Sequence, residues 1–167
     1  MARLIASGGL VVGAILGLAG TFVASPSLRG LLWGIDGTAL IVATSLLTIH
    51  HCRRDHELIA AGSLVFVAGE TLILFSGVID PAASGPPFSA GAGLWAASLA
   101  LVSLPAVMPT WIRVVSAIAA VLFAVVAVQG FMGHAPTPLS QPLPFFAYPF
   151  LALALFGWAW THYRSAS

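Results

Sequence analysis

The chain has 167 residues, of which 59% are hydrophobic and 7% charged, with six arginines, no lysine, five acids and a formal net charge of +1. So few charges cannot cover a water-soluble surface, which excludes a soluble globular protein. The scattered arginines form no basic patch, which argues against nucleic-acid binding, and the absence of lysine excludes a retinal Schiff base.

Six apolar runs are long enough to be transmembrane helices, since a hydrocarbon core of about 30 Å takes about 20 helical residues. Proline, glycine and charged residues separate them. The sequence predicts an all-α polytopic membrane protein, a bundle of six transmembrane helices in which residues 1–167 form one transmembrane domain. The predicted helices cover residues 4–23, 30–49, 58–79, 88–107, 111–132 and 145–160.

The first run follows Arg3 and could be mistaken for a secretory signal. Its length exceeds the usual apolar core of about 7 to 15 residues of such signals, so we interpret it as a spanning helix. It carries Gly9, Gly13 and Gly17 at four-residue spacing. A ridge without side chains lets another helix approach closely. We therefore expect these glycines to dock onto a partner membrane subunit or onto a second copy of the chain.

The second and third runs each contain one carboxyl group, Asp36 and Glu70. At about 1.5 Å per residue, both lie at similar depth, about 10 to 15 Å below the outer boundary. Because a carboxylate inside a bilayer costs about 2.5 to 3.5 kcal/mol on insertion scales, each should face the bundle interior and find a partner. Every arginine lies at a boundary of a run and there is no lysine, so the partners must be hydroxyls, amides, water, a shared proton or a bound cation. The hydroxyls available in the same two runs are those of Thr38, Thr44, Ser63 and Thr71.

Desolvation and a neighbouring like charge both raise the proton affinity of a carboxylate. We therefore expect at least one of the two acids to be protonated near neutral pH, in a site that exchanges protons for cations. Two other interpretations stay open. Each acid can be a neutral, hydrogen-bonded packing element that sets helix register, or Asp36 can reach Arg29, seven residues earlier.

Imidazoles, a thiol and carboxylates crowd the loop between the second and third runs. His50, His51 and His56 lie here, and His162 ends the last helix on the same membrane side. Such groups suit zinc or another transition metal, and two histidines at one depth could ligate a haem iron. Alternatively, the segment is a solvated cytoplasmic turn, since its spacing matches no zinc signature.

The fifth and sixth runs add Gln129 and Tyr148, which we expect to line the cavity of the two acids and to hydrogen-bond the charged form. His134, in the proline-rich loop between these runs, should be a surface residue. Hydrolase elbows, phosphate-binding loops and dinucleotide fingerprints are missing from the sequence. We therefore expect a protein that is not an enzyme and carries no cofactor.

The arginines also predict the orientation. With the amino terminus inside, five of the six are cytoplasmic and only Arg29 lies outside, as expected when cytoplasmic loops hold the positive charge. Both termini are then cytoplasmic. The predicted location is a bacterial inner membrane. The chain crosses this membrane several times and is in contact with its lipid bilayer.

Three functions are consistent with this pattern. The leading hypothesis is an integral membrane protein that binds or transports a small cationic or lipophilic solute, proton-coupled through Asp36 and Glu70. The second is a structural or accessory membrane subunit, held to its partner by the glycine ridge. The third is a haem- or metal-binding redox protein that uses the histidines.

Overall fold

The computed structural model describes residues 1–78, 83–134 and 136–164. Within these ranges the protein has six α-helices, one short 3-10 helix and no strand. The α-helices are α1 (Ala2–Phe22), α2 (Pro26–Cys52), α3 (Glu57–Val78), α4 (Gly85–Ser103), α5 (Thr110–Phe131) and α6 (Tyr148–Arg164), and the 3-10 helix at Phe145–Ala147 leads into α6.

The described part of the chain confirms the all-helical prediction and its six helices, with ends that differ by a few residues. The differences reach four residues, at the start of α2 and at the ends of α4 and α6. The helix α2 starts early because Ser25 accepts a hydrogen bond from the Leu28 amide and Pro26 occupies the first turn. The predicted end of the third helix, residue 79, lies outside the described residues.

Four of the helices are long and apolar enough to cross a membrane, namely α1, α2, α3 and α5. The other two helices are shorter, at 19 and 17 residues for α4 and α6. In α4, glycine, alanine and serine replace large apolar residues on a helix that is about half buried between α3 and α5. Small residues lower the hydropathy of α4 and allow its neighbours to approach closely.

The helices form a closed ring, because each packs on its neighbours in the chain and α1 also packs on α6. Phe66, Phe88 and Phe123 are fully buried inside the ring, whereas Leu31 and Val121 on its outside are 59% and 64% exposed. The beginning of α1, the turn after α2 and the end of α6 meet at one end of the ring, where Arg3, Arg53 and His162 line a common surface depression.

The glycine ridge of α1 lies against α2 of the same chain. A Cβ atom at Gly9 would lie 2.9 Å from the Ala39 carbonyl oxygen, and one at Gly13 would overlap the Leu40 side chain. The ridge is therefore used inside the protein, in a close contact between α1 and α2; docking of these glycines onto a partner subunit or a second copy stays a prediction. Because these glycines have no side chains, the backbones of α1 and α2 pack directly against each other.

This contact gives a prediction for stability. Gly9→Leu should lower the thermal midpoint in mild detergent, because the new side chain meets the rigid backbone of α2; overpacking of this kind costs about 1 to 3 kcal/mol. Gly8→Leu is the matched control, since a Cβ atom at Gly8 has no neighbour within 4 Å. Equal midpoints for the two variants would contradict the packing described here.

Candidate functional site

A cavity of about 340 Å³ lies inside the ring, and the acids of α2 and α3, Asp36 and Glu70, both line it. We call it the carboxyl cavity, and Asp36 of α2, Glu70 of α3 and Tyr148 of α6 supply its polar groups. Its walls are otherwise mostly aliphatic and aromatic. The volume is at the small end of the range of about 300 to 1,000 Å³ that is typical of small-molecule sites.

The glycine ridge positions the first acid. A Cβ atom at Gly17 would lie 2.7 Å from Asp36 Oδ2, so only glycine leaves room there for the carboxyl group. Asp36 is half-buried, and its Oδ1 atom is buried without a hydrogen-bond partner. Close packing of α1 on α2 therefore turns this carboxyl group toward the cavity rather than toward lipid.

Glu70 is buried more deeply. Its side chain is 2% exposed, and its Oε2 atom has no hydrogen-bond partner. The indole of Trp95 lies beside this carboxyl group, but the geometry falls short of a hydrogen bond and Nε1 makes none. An unpartnered buried carboxyl oxygen is costly, so a site of this kind is completed by a donor or a cation from outside the chain.

The hydroxyls that the sequence offered as partners are already used within their own helices. Thr44 and Ser63 donate to the carbonyl oxygens of Leu40 and Ile59, at 2.6 and 2.8 Å. Thr38 and Thr71 do the same, each at 2.8 Å, to the carbonyl oxygens four residues earlier. Serine and threonine hydroxyls within a helix can donate to a backbone carbonyl oxygen of the preceding turn. None of these four hydroxyls therefore donates to Asp36 or Glu70.

Arg29 does not reach Asp36. Its guanidinium donates two hydrogen bonds to the Val23 carbonyl oxygen, from Nε at 3.2 Å and from Nη2 at 2.7 Å. This guanidinium therefore caps the end of α1. The interpretation of Asp36 as the partner of Arg29 is not realised.

Two tryptophans line the cavity wall although the sequence did not predict them there. The indole of Trp33 donates to the Gly17 carbonyl oxygen at 3.1 Å and lines the carboxyl cavity. Trp95, 5% exposed, forms another part of the wall. Their electron-rich ring faces attract cations as well as apolar groups. No sequence signal distinguished them from the tryptophans at the helix ends.

Of the four predicted cavity residues, the structure brings together Asp36, Glu70 and Tyr148. Tyr148 lines the same cavity wall as the two acids. Gln129 is exposed near the end of α5 and does not line the cavity. His134 is exposed in the following loop, as expected for a surface residue.

Three aromatic side chains close the carboxyl cavity at its deep end, and we call them the aromatic plug: Phe66, Trp95 and Trp158. Phe66 stacks on Trp95 at 5.8 Å between ring centres and meets Trp158 edge-on at 6.0 Å. Trp95 lines the carboxyl cavity, whereas Trp158 lines a second pocket beyond the plug. All three are at most 5% exposed, so the plug is tightly packed.

The second pocket, of about 100 Å³, contains four of the five histidines, and we call it the histidine pocket: His50, His51, His56 and His162. The structure thus brings together all four candidates that the sequence offered as metal ligands. Within the described ranges, no three histidine, cysteine or carboxyl groups already form a metal-binding set.

A tight turn after α2 holds two of these histidines together. The His56 amide donates to the His51 carbonyl oxygen at 3.0 Å, the Asp55 amide donates to that of Cys52 at 3.3 Å, and Asp55 has a positive φ of 56°. This is the Schellman pattern of helix ends. It returns the chain onto the last turn of α2, which places His51 Nδ1 and His56 Nδ1 3.4 Å apart.

The end of α6 completes the histidine pocket. Burial, followed by the charges of His50, Arg3 and Arg54, lowers the pKa of the His162 imidazole to about 4. This ring is therefore neutral at pH 7, the form in which imidazole offers a lone pair to a metal. Its ring centre is 4.5 Å from that of His50.

Comparison with protein-family models, with curated proteins and with solved structures finds no match to this chain. The chemistry of the two sites is what points to a function. The carboxyl cavity joins buried, unpartnered acid oxygens to an apolar and aromatic wall, an arrangement that suits a small organic cation. The histidine pocket offers nitrogen ligands instead.

Proposed function

We propose that this protein binds a small lipophilic cation in the carboxyl cavity, with Asp36 and Glu70 as its counter-charges, and exchanges it for protons. The observation that carries the proposal is the pair of buried carboxyl oxygens, one on each acid, that have no hydrogen-bond partner and line the same cavity. Trp33 and Trp95 hold the apolar part of the solute, and the Tyr148 hydroxyl hydrogen-bonds the carboxylate that the cation leaves exposed.

Proton exchange follows from the chemistry of the pair. Two carboxylates in one apolar cavity repel each other and are poorly solvated, so the empty site holds protons and the cation-bound site holds negative charge. Binding a cation then displaces a proton. Transport of the solute requires in addition that the aromatic plug opens, since this plug separates the carboxyl cavity from the histidine pocket.

The same proposal includes the membrane topology. We propose a bacterial inner-membrane protein in which all six helices lie across the bilayer, with the beginning of α1 and the end of α6 in the cytoplasm. The apolar exterior of the ring and the four helices of sufficient length and hydropathy support a membrane location. The arginine distribution supports the orientation, with the carboxyl cavity on the outer side.

Three probes of similar size and different charge test the cavity. Phenyltrimethylammonium should bind to the protein in mild detergent at least about 10-fold more tightly than neutral acetophenone, because a charged partner in a desolvated site adds more than about 1.4 kcal/mol. Benzenesulfonate should not bind measurably. Isothermal titration calorimetry measures all three.

Calorimetry in two buffers of different ionisation enthalpy also measures the protons released as the cation binds. Release of a proton and an affinity for phenyltrimethylammonium that rises with pH are expected. Equal affinity for the three probes, or preference for the anion, would rule out the carboxyl cavity as a cation site. Cation binding without proton release would support the cation site but contradict the exchange of the cation for protons.

A further inference from the structure

The histidine pocket is separate from the carboxyl cavity, and the aromatic plug lies between them. We infer that it is a site for a transition-metal cation of the zinc type, held by the imidazoles of His50, His51, His56 and His162. The geometry that points to it is the gathering of four imidazoles around a pocket of about 100 Å³. They come from two distant parts of the chain, the end of α2 with its turn and the end of α6.

The nitrogen spacing fits a shared metal ion. Zinc lies about 2.0 to 2.1 Å from a histidine nitrogen, so two nitrogens on one tetrahedral ion are about 3.3 Å apart. His51 Nδ1 and His56 Nδ1 are 3.4 Å apart. In the absence of a metal, the same distance lets one of the two rings donate a long hydrogen bond to the other.

Two of the three ring spacings around His51 are close to the geometry of a shared ion, and the third is wider. Imidazoles that share a tetrahedral ion have ring centres about 5 Å apart. Here the centres of His51 and His50 are 5.1 Å apart, those of His51 and His56 5.6 Å, and those of His51 and His162 6.4 Å. His51 is therefore the central ligand. The pair His51 and His56 is pre-formed, and side-chain rotation of His50 and His162 brings in the remaining nitrogens.

The charge of the pocket selects the kind of metal. Arg54 also lines it, and its positive charge opposes a cation that is held by charge alone, such as Mg²⁺ or Ca²⁺. Imidazole nitrogens bind instead the metals with high nitrogen affinity, Zn²⁺, Ni²⁺ and Cu²⁺. A bound ion would tie the end of α6 to the turn after α2.

Equilibrium dialysis of the protein against Zn²⁺ tests the site, with the protein purified without a histidine tag or chelator. One Zn²⁺ per chain is expected. His51→Ala should weaken binding by more than about 10-fold, the smallest loss that follows even when an outer-shell partner of a zinc ligand is removed. His134→Ala is the matched control, because this exposed histidine lies after α5, away from the pocket, and it should bind as the wild type does.

Two further variants keep the test decisive. If His51→Ala does not fold, His56→Gln removes the other half of the pre-formed pair and should give the same loss. Cys52→Ser should have no effect, since Cys52 is exposed and does not line the pocket. Loss of binding in Cys52→Ser alone, unchanged binding in both histidine variants, or an empty wild-type protein would each overturn the site. None of these results depends on whether phenyltrimethylammonium binds.

Discussion

Glu70→Gln is expected to weaken binding of phenyltrimethylammonium by about 30-fold or more, because a buried charge pair is worth about 2 kcal/mol or more to a complex. Glutamine keeps the size of the side chain and removes its charge. Glu70 is the more deeply buried of the two acids, at 2% exposed, so solvent cannot replace the lost counter-charge. Calorimetry with the purified variant gives the affinity.

Glu57→Gln is the matched control for this variant. Glu57 begins the same helix but is exposed, so its replacement should leave the affinity unchanged. Acetophenone, which carries no charge, should bind to wild type and Glu70→Gln alike, which verifies that the variant keeps its cavity. Unchanged affinity for phenyltrimethylammonium in Glu70→Gln would remove Glu70 from the site.

Asp36→Asn should also weaken binding of the cation, and the double variant should lose more than the sum of the two single effects. Two groups that share one ligand and repel each other do not act independently. Loss of one acid relieves the repulsion on the other, which then carries more of the charge. Proton release on binding should fall in both single variants.

Phe66→Ala is expected to have the largest effect on the barrier between the two cavities. Phe66 is fully buried between Trp95 and Trp158, and removal of a buried phenyl ring costs about 3 to 5 kcal/mol. The void left behind would connect the carboxyl cavity with the histidine pocket. Proteoliposomes with the variant should therefore release trapped phenyltrimethylammonium faster than those with the wild type, and the thermal midpoint should fall.

Phe75→Ala is the matched control for both the release rate and the thermal midpoint. Phe75 lies on the same helix but is 53% exposed on the outside of the ring, so its loss should change neither the release rate nor the midpoint appreciably. If Phe66→Ala does not fold, Phe66→Leu removes the ring stacking with a smaller void. A release rate equal to that of the wild type in a folded Phe66 variant would show that the plug is not the barrier.

Much of the fold follows from local sequence. Apolar runs of sufficient length, separated by proline, glycine and charge, predict helices because in a bilayer each backbone N–H and C=O must be satisfied within its own segment. The similar depth of Asp36 and Glu70 needs only the rise per residue and the antiparallel arrangement of adjacent helices. Their inward orientation follows from the cost of a carboxyl group in lipid.

The rotation of each helix about its axis was decided by the tertiary structure alone. The runs are apolar on nearly every side, so no amphipathic pattern says which face turns inward. For that reason the sequence did not indicate that the glycine ridge packs on α2 of the same chain, Gln129 was expected to line the cavity but is exposed, and Trp33 and Trp95 in the cavity wall were missed.

Hydrogen bonding of the polar groups also depended on the folded chain. From the sequence, Thr44 and Ser63 were as available to the acids as to their own helices, and Arg29 as close to Asp36 as to the end of α1. Because the hydroxyls bond to their own helices and Arg29 bonds to Val23, Asp36 Oδ1 and Glu70 Oε2 have no hydrogen-bond partner. The sequence alone therefore determined that this is an apolar helical protein with two inward acids. Close packing of helices that are apolar on nearly every side decided which side chains those acids meet.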